Sequence, residues 1–281
     1  MAHSEQEELR QLMALLSDVP QWVRRVSEAE PAQIEPRSGS SLLGDDRWSG
    51  KFSVSGAAWN HITAAVDHLS TLRAATVGCG EHETLTFSLH ISGQFTLLRA
   101  VIENAAAVLW LLAPIPRGDR VLRRLQLAAN DIRSNEAVRA LTNSPGRKTK
   151  EQRLDELRAI AIAHGLDPKS ALQAPSYEKI VRTAGEATGV GADLAVVLWR
   201  SCSGLAHGDV WASLAVPARE GLAMATAGMA NLHLSPNVEA LLCTIVAGKI
   251  LVREAMALYE QRRDVPCLVA PVRRSPKVGA S

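Results

Sequence analysis

One apolar segment constrains the fold of this chain more than any other. Residues 105–115 read AAAVLWLLAPI, which is too short to span a lipid bilayer and contains Pro114. The same helical pattern extends back to residue 82, and Pro114 and Pro116 would stop it. We therefore predict a long buried helix over residues 82–112 and no membrane association.

The composition favours further helices around that one. Hydrophobic residues make up 47% of the chain but aromatic residues only 4%, so alanine, leucine and valine must fill the core. Alanine and leucine are strong helix formers, and we find no convincing strand pattern of alternating apolar residues. The sequence predicts an all-α fold, an antiparallel helical bundle with additional helices. Helical spacing or capping signals place the other helices at residues 5–17, 55–77, 119–141, 149–163, 177–187, 193 onward and 235–263.

Proline, glycine and charge divide the chain into three parts. We expect an N-terminal helix and an irregular linker over residues 1–52, because PRSGSSLLGDDRWSGK at 36–51 is rich in turn-forming residues. The bundle domain would follow at residues 53–263. The proline-rich, basic tail at 264–281 is expected to be disordered. Residues 213–234 lack clear periodicity, which leaves a loop, a short helix or a small hairpin open.

Charge and cysteine usage exclude several classes of protein. The formal net charge is +2, from 31 basic and 29 acidic residues, which does not suggest a general nucleic-acid binder but permits a local phosphate site. The four cysteines form no C-x-x-C pair. His61 and His68 lack the spacing usual for metal ligands on a helix. We therefore expect no metal and no cofactor. The first residues show no apolar signal region, so we expect a cytoplasmic protein.

The most polar cluster lies within LWRSCSGLAHGDVW, residues 198–211. In a continuous helix, Arg200 and His207 would share a face, separated by about 20° around the axis and about 10 Å along it. Ser203 lies between them, and Gly204 would let a pocket or a partner chain approach the backbone. An arginine and a histidine suffice for metal-free phosphodiester cleavage, by charge stabilisation and proton transfer. Equally, the arginine could pair with a carboxylate and the histidine with a buried carbonyl.

These residues resemble the motifs of the HEPN superfamily of helical proteins. Arg200 and His207 are similar to its R-x(4–6)-H motif, and Ser201 matches the small polar residue that commonly follows the arginine. The helix with Arg99 and Glu103 looks like the R-x-x-x-E helix of uncharacterised bacterial members that also carry an S-G-x-x-H-G box. The resemblance covers residues 55–262, but two extra helices separate its motifs. It implies a homodimer and, as in many members, a metal-independent endoribonuclease of a toxin or anti-phage system.

Arg99 and Glu103 lie on an apolar helix, where a buried ion pair needs further partners. They could form a simple intrahelical pair, or Glu103 could face Arg200 or His207. We predict that all four side chains converge on one polar pocket. The assigned catalytic residues are Arg200, His207 and Glu103, and the assigned substrate-binding residues are Arg99, Ser201, Ser203 and Trp110.

Three functions remain open at this point. The first is an RNA-cleaving homodimer, with an antitoxin or another defence protein as a possible partner. The second is a non-enzymatic helical module for interaction or dimerisation. The third is a helical protein that binds a small ligand through Arg200, Glu103 and Trp110.

Overall fold

The computed structural model describes residues 2–79, 85–144, 146–224 and 230–265. Helices account for 73% and strands for 5%, which confirms the all-α class. A short 3₁₀ helix at Ser170–Leu172 lies between α8 and α9. The α-helices, in chain order, are α1 (Ala2–Leu16), α2 (Val19–Ser27), α3 (Pro31–Ile34), α4 (Ser41–Ser49), α5 (Val54–Thr76), α6 (Gly93–Leu112), α7 (Arg117–Thr142), α8 (Lys150–Ala163), α9 (Tyr177–Glu186), α10 (Ala192–His207), α11 (Val210–Ala215) and α12 (Val238–Arg263).

Two short antiparallel hairpins accompany the helices, although the sequence indicated no strand with certainty. β1 (Val77–Cys79) pairs with β2 (Leu85–Phe87), and β3 (Ala218–Met224) pairs with β4 (Ala230–Ser235). The first hairpin occupies part of the range expected to be helix, so α6 begins at Gly93 and not at residue 82. The segment with unclear periodicity contains both a short helix, α11, and the second hairpin.

The helix α6 is the centre of the bundle. It packs against α5 and α12 on one side and against α9 and α10 on the other. Ala105, Ala106 and Ala107 are buried and allow this close approach. At Gly248 of α12 an added Cβ would lie 3.3 Å from Cγ1 of Val101 on α6. By length and composition α6 could cross a membrane, but 67% of that window is buried in the protein, as in the core helix of a soluble bundle.

The N-terminal helices share the main core with the bundle. Leu12, Leu16, Val19 and Leu42 are buried in the same apolar cluster as the inner residues of α5, α6 and α12. The segment expected to be an irregular linker contains α4, which was not predicted. The Ser40 side chain caps α4 by accepting a hydrogen bond from the backbone N–H of Leu43 at 3.1 Å.

A second, smaller core lies between α7, α8 and the 3₁₀ helix. It contains Val121, Leu125, Ile132 and Leu157. The boundaries predicted for α5, α7, α8 and α9 agree with the structure to within about two residues, the usual uncertainty of helix ends.

The start of the last helix differs from the prediction. Asn237, and not Ser235, caps α12, because its side chain accepts from the N–H of Ala240 at 3.0 Å. The predicted disordered tail lies outside the described residues beyond position 265.

Candidate functional site

The polar cluster of the sequence lies at the carboxyl end of α10. His207 is the last residue of that helix, and Gly208 ends it in the left-handed conformation, with φ of 73°. The chain then turns directly into α11. An added Cβ at Gly204 would lie 2.6 Å from Cβ of Ala212 and 2.8 Å from Cζ2 of Trp211. The space beside Gly204 is therefore filled by the chain's own α11, not by a pocket or a partner chain as expected.

A chain of hydrogen bonds joins α6 to α10. Arg99 donates from Nε to Oε1 of Glu103 at 2.9 Å, and its NH1 lies 2.9 Å from Nε2 of His207. The indole Nε1 of Trp199 donates to the same carboxylate oxygen at 2.8 Å. We call Arg99, Glu103, Trp199 and His207 the Arg99 cluster. Of the four side chains predicted to converge on one pocket, the structure brings three together. The fourth member of the cluster is Trp199.

The Arg99 cluster is open to solvent at one end. The side chain of Arg99 is 27% exposed and that of Glu103 is 17% exposed, whereas His207 is exposed at the surface. A guanidinium can only donate, so in this geometry Nε2 of His207 accepts and the neutral ring carries its proton on Nδ1. Among the described residues Nδ1 has no hydrogen-bond partner. The imidazole is therefore held at one nitrogen and free at the other.

Arg200 lies outside the Arg99 cluster. Its guanidinium donates to Oε2 of Glu178 on α9 and lies 5.9 Å from the ring centroid of Trp199. The structure does not join Arg200 directly to His207, although both residues lie on α10. Its exposed side chain instead forms an ion pair with Glu178 at the edge of the site.

Tyr177, the first residue of α9, lies close enough to sense the charge of this site. Burial and, secondly, the negative charge of Glu103 raise the pKa of the Tyr177 hydroxyl. The side chain is half exposed, and its raised pKa keeps the hydroxyl neutral. Sequence reasoning did not select this residue.

The remaining predicted site residues have different surroundings. Ser201 and Ser203 are half-buried on α10, and neither hydroxyl has a hydrogen-bond partner in the described part of the chain. The structure does not bring Trp110 to the site. Trp110 is only 2% exposed, two turns beyond Glu103 on α6, and its ring centroid lies 4.9 Å from the guanidinium carbon of Arg123.

Trp199 is the site residue that sequence reasoning missed. Trp199, Ser203 and His207 follow one another at spacings of four, so they form one row along α10. This row, and not one that includes Arg200, faces Arg99 and Glu103. The spacing was visible in the sequence, but tryptophan in an apolar run is usually a core residue.

Two other groups near this region have structural partners. Burial raises the pKa of the Cys202 thiol to about 12, so the thiol next to the site is protonated at neutral pH. His61 lies 2.8 Å from Oδ1 of Asn104, which ties α5 to α6. Within the described ranges no group of three or more histidine, cysteine, aspartate or glutamate residues could hold a metal ion.

An apolar surface flanks the open end of the site. We call it the α10–α11 surface, and it consists of the exposed side chains of Leu194, Val197, Val210, Trp211 and Leu214. Val210 is 72% exposed and Trp211 is 52% exposed. Exposed apolar side chains are typical of protein–protein contact sites where they form one patch. Comparisons of the chain with family models, with curated proteins and with solved structures found no match.

Proposed function

We propose that this chain is a HEPN-like, metal-independent endoribonuclease whose chemistry is centred on Arg99 and His207. The observation that carries the proposal is the 2.9 Å contact between Arg99 and an exposed histidine whose other nitrogen has no partner among the described residues. Histidine transfers protons near neutral pH, and arginine stabilises charge on phosphate oxygens. These two side chains supply the functions that cleavage by an internal 2′-hydroxyl requires.

In the proposed reaction the phosphodiester takes the place of His207 as the acceptor for Arg99. The negatively charged phosphate attracts the guanidinium, which frees Nε2 of His207 to take the proton of the ribose 2′-hydroxyl. The deprotonated oxygen attacks phosphorus, the bond between phosphorus and the 5′-oxygen breaks, and His207 gives the proton that it took from the 2′-hydroxyl to that 5′-oxygen. Arg99 stabilises the charge on the equatorial phosphate oxygens in the transition state. The products carry a 2′,3′-cyclic phosphate and a 5′-hydroxyl.

Glu103 and Trp199 are positioning residues in this scheme. Glu103 holds Arg99 by a charged hydrogen bond, and Trp199 fixes the carboxylate in turn. Arg200 is exposed and would meet the RNA backbone or a second copy of the chain. Ser201 and Ser203 lie on α10 with hydroxyls that have no partner among the described residues, and both remain proposed substrate contacts.

We also propose that the active form is a cytoplasmic homodimer formed through the α10–α11 surface. Val210 and Trp211 of this surface follow His207 by three and four residues, so two copies would bring two sites close to one RNA strand. An antitoxin or another defence protein would act as a regulatory partner. The second candidate function is a non-enzymatic interaction module, and the same exposed apolar side chains favour it.

RNA cleavage by the purified wild-type chain and by His207→Ala, both in excess EDTA, tests the proposal. We expect wild type to cleave with EDTA present and His207→Ala to lose about 10²–10⁴-fold in rate, the usual contribution of general acid–base catalysis. Product ends analysed by mass spectrometry should be cyclic phosphates. Size-exclusion chromatography of both proteins provides the control for assembly.

Two results would contradict the proposal that the chain is a ribonuclease. Equal activity in wild type and His207→Ala would show that the histidine is structural or that the activity is a contaminant. No cleavage by wild type, combined with loss of the dimer in Trp211→Ser, would favour the interaction module. Trp211 is suitable for that variant because it is 52% exposed and belongs to the α10–α11 surface.

A further inference from the structure

A cleft that is separate from the Arg99 cluster has the properties of a ligand site. It has a volume of about 720 Å³ and lies between α2, α3, α5 and α12. Sites for small organic molecules usually have volumes of about 300–1,000 Å³. The Arg99 cluster faces α9 and α10, whereas this cleft faces the N-terminal helices, so the two sites share no residue. We call it the α2–α12 cleft.

Three arginines from two helices line the α2–α12 cleft. Arg24 and Arg25 come from the last turn of α2, and Arg263 comes from the last turn of α12. Cations in the last turn of a helix are favoured by its dipole, which accounts for each arginine separately. The dipoles do not account for their convergence on one cleft, since repulsion between three cations must be offset there.

The ion pairs in the cleft leave one arginine without a carboxylate. Arg25 pairs with Glu260 across the cleft, and Arg263 pairs with Asp264 at 3.2 Å and donates to the carbonyl of Gln33. The guanidinium of Arg24 is exposed and has no ion-pair or hydrogen-bond partner among the described residues. An oxyanion bound in the cleft would give Arg24 a partner and would be reached by the guanidinium fork.

The floor of the cleft is aromatic and apolar. Trp59 of α5 and Tyr259 of α12 lie with ring centroids 5.3 Å apart, and Met256 lies beside them. The Tyr259 hydroxyl donates to the carbonyl of Ile34 at 2.7 Å, so that ring is fixed. Trp59 is only half-buried and can present its ring to a flat ligand.

We propose that the α2–α12 cleft binds a small aromatic oxyanion, a planar ring that carries a phosphate or a carboxylate. The oxyanion lies against Arg24 and Arg25, and the ring lies against Trp59. Glu28 also lines the cleft, and its carboxylate has no partner among the described residues. The carboxylate therefore accepts an N–H or O–H of the ligand but repels its negative charge. The inference is independent of the ribonuclease, because none of these residues belongs to the Arg99 cluster.

Isothermal titration calorimetry of the full chain, without RNA, tests this binding. The probes are adenosine monophosphate and 1-naphthoate, with adenosine and inorganic phosphate as probes of each half alone. We expect saturable binding of at least one aromatic oxyanion, and weaker binding of both half-probes. Tighter binding of adenosine monophosphate assigns a phosphate, and tighter binding of naphthoate assigns a carboxylate.

Three variants identify the cleft as the place of binding. Arg24→Gln should weaken the aromatic oxyanion about tenfold or more, the effect of losing one charged hydrogen bond. Arg133→Gln is the matched control, because Arg133 is an exposed arginine of α7 without a partner in the described ranges and does not line the cleft. Glu28→Gln should strengthen binding, because it removes a like charge. Arg24 and Glu28 are exposed, so their variants should fold as wild type.

The inference fails if neither aromatic oxyanion binds at millimolar concentration. It also fails if Arg24→Gln and Arg133→Gln weaken binding equally, because the effect would then be one of net charge. Inorganic phosphate that binds as tightly as adenosine monophosphate would remove the role of Trp59. Binding with the expected variant pattern supports the cleft whether or not the chain cleaves RNA.

Discussion

Two arginine–carboxylate clusters lie along α6, one near its middle and one beyond its carboxyl end, and they differ in how completely their hydrogen-bond donors and acceptors are paired. Beyond the carboxyl end, Arg120 is 2% exposed and Asp45 is fully buried. Arg120 makes two hydrogen bonds to Asp45 and two more to the carbonyls of Pro114 and Ile115, at 2.6–2.8 Å. Arg117 adds a further contact to Asp45 at 3.3 Å. In this cluster the charged groups have a structural role.

In the Arg99 cluster, near the middle of α6, only some of the donors and acceptors have partners. Oε1 of Glu103 accepts from both Arg99 and Trp199, and Oε2 has no partner among the described residues. NH2 of Arg99 and Nδ1 of His207 likewise have no hydrogen-bond partner among the described residues. Partly exposed side chains with unpaired donors and acceptors can bind a substrate without loss of the fold. A structural arginine therefore differs from a candidate functional one in how completely its hydrogen-bond donors are paired, and not in whether charge is present.

The largest expected effect is on stability, at the saturated cluster. Asp45→Ala leaves the buried Arg120 charge without its carboxylate, so the free energy of unfolding should fall by about 3–5 kcal/mol. Glu103→Ala should cost only about 1 kcal/mol, because solvent can reach Arg99 in its place. Urea denaturation followed by circular dichroism measures both values. A loss in Asp45→Ala no larger than that in Glu103→Ala would end the distinction between the clusters.

The sequence made only one of these clusters visible. Arg99 and Glu103 attracted notice because they are four residues apart on an otherwise apolar helix, where buried charge needs partners. Arg120 and Asp45 lie far apart in the chain, on α7 and on a segment rich in turn-forming residues. Neither propensity nor periodicity reports such a pairing, because the ion pair exists only after α4 has packed against α7.

The fold was more accessible to sequence reasoning than the site. Apolar spacing of helical period located most of the helices, since one buried face imposes that spacing wherever a helix packs. The same reasoning selected Arg200 as the partner of His207, because the two residues lie nearly on one face. It could not show that Glu178 of α9 would take Arg200, or that α11 would fill the space beside Gly204. Both outcomes depend on tertiary packing of helices that follow or precede α10.

The second expected effect separates the two arginines near His207. Arg99→Ala should lower the rate of RNA cleavage by about 10²–10³-fold, the usual cost of losing one donor to a transition-state oxyanion. Arg200→Ala should cost less, because Glu178 holds that side chain outside the Arg99 cluster. Arg99→Lys should rescue only partly, because an ammonium lacks the planar fork that reaches Glu103 and His207 together. Single-turnover cleavage rates measure all three variants.

A loss in Arg200→Ala as large as that in Arg99→Ala would revise the comparison. It would mean that Arg200 leaves Glu178 when RNA or a second copy binds, and that the R-x(4–6)-H motif acts as it does in the family it resembles. The variant Glu178→Gln distinguishes the two accounts. It frees Arg200 from its ion pair and should raise the rate only if Arg200 takes part in cleavage.

The smallest expected effect concerns Cys202, which lies on α10 beside the Arg99 cluster. Burial raises the pKa of its thiol from 9.0 to about 12, so the folded protein retains a proton that the unfolded chain releases. The contribution of this thiol to stability is therefore complete below pH 9 and is lost as the pH rises toward 12. At pH 8 iodoacetamide should label the exposed Cys243 and leave Cys202 unmodified, because the thiolate is the nucleophile. Peptide mass spectrometry after native labelling measures both sites, and labelling in urea is the control in which both react. Rapid native labelling of Cys202 would show that α10 moves away from the core. The Arg99 cluster would then open in solution, unlike the fully packed cluster around Asp45.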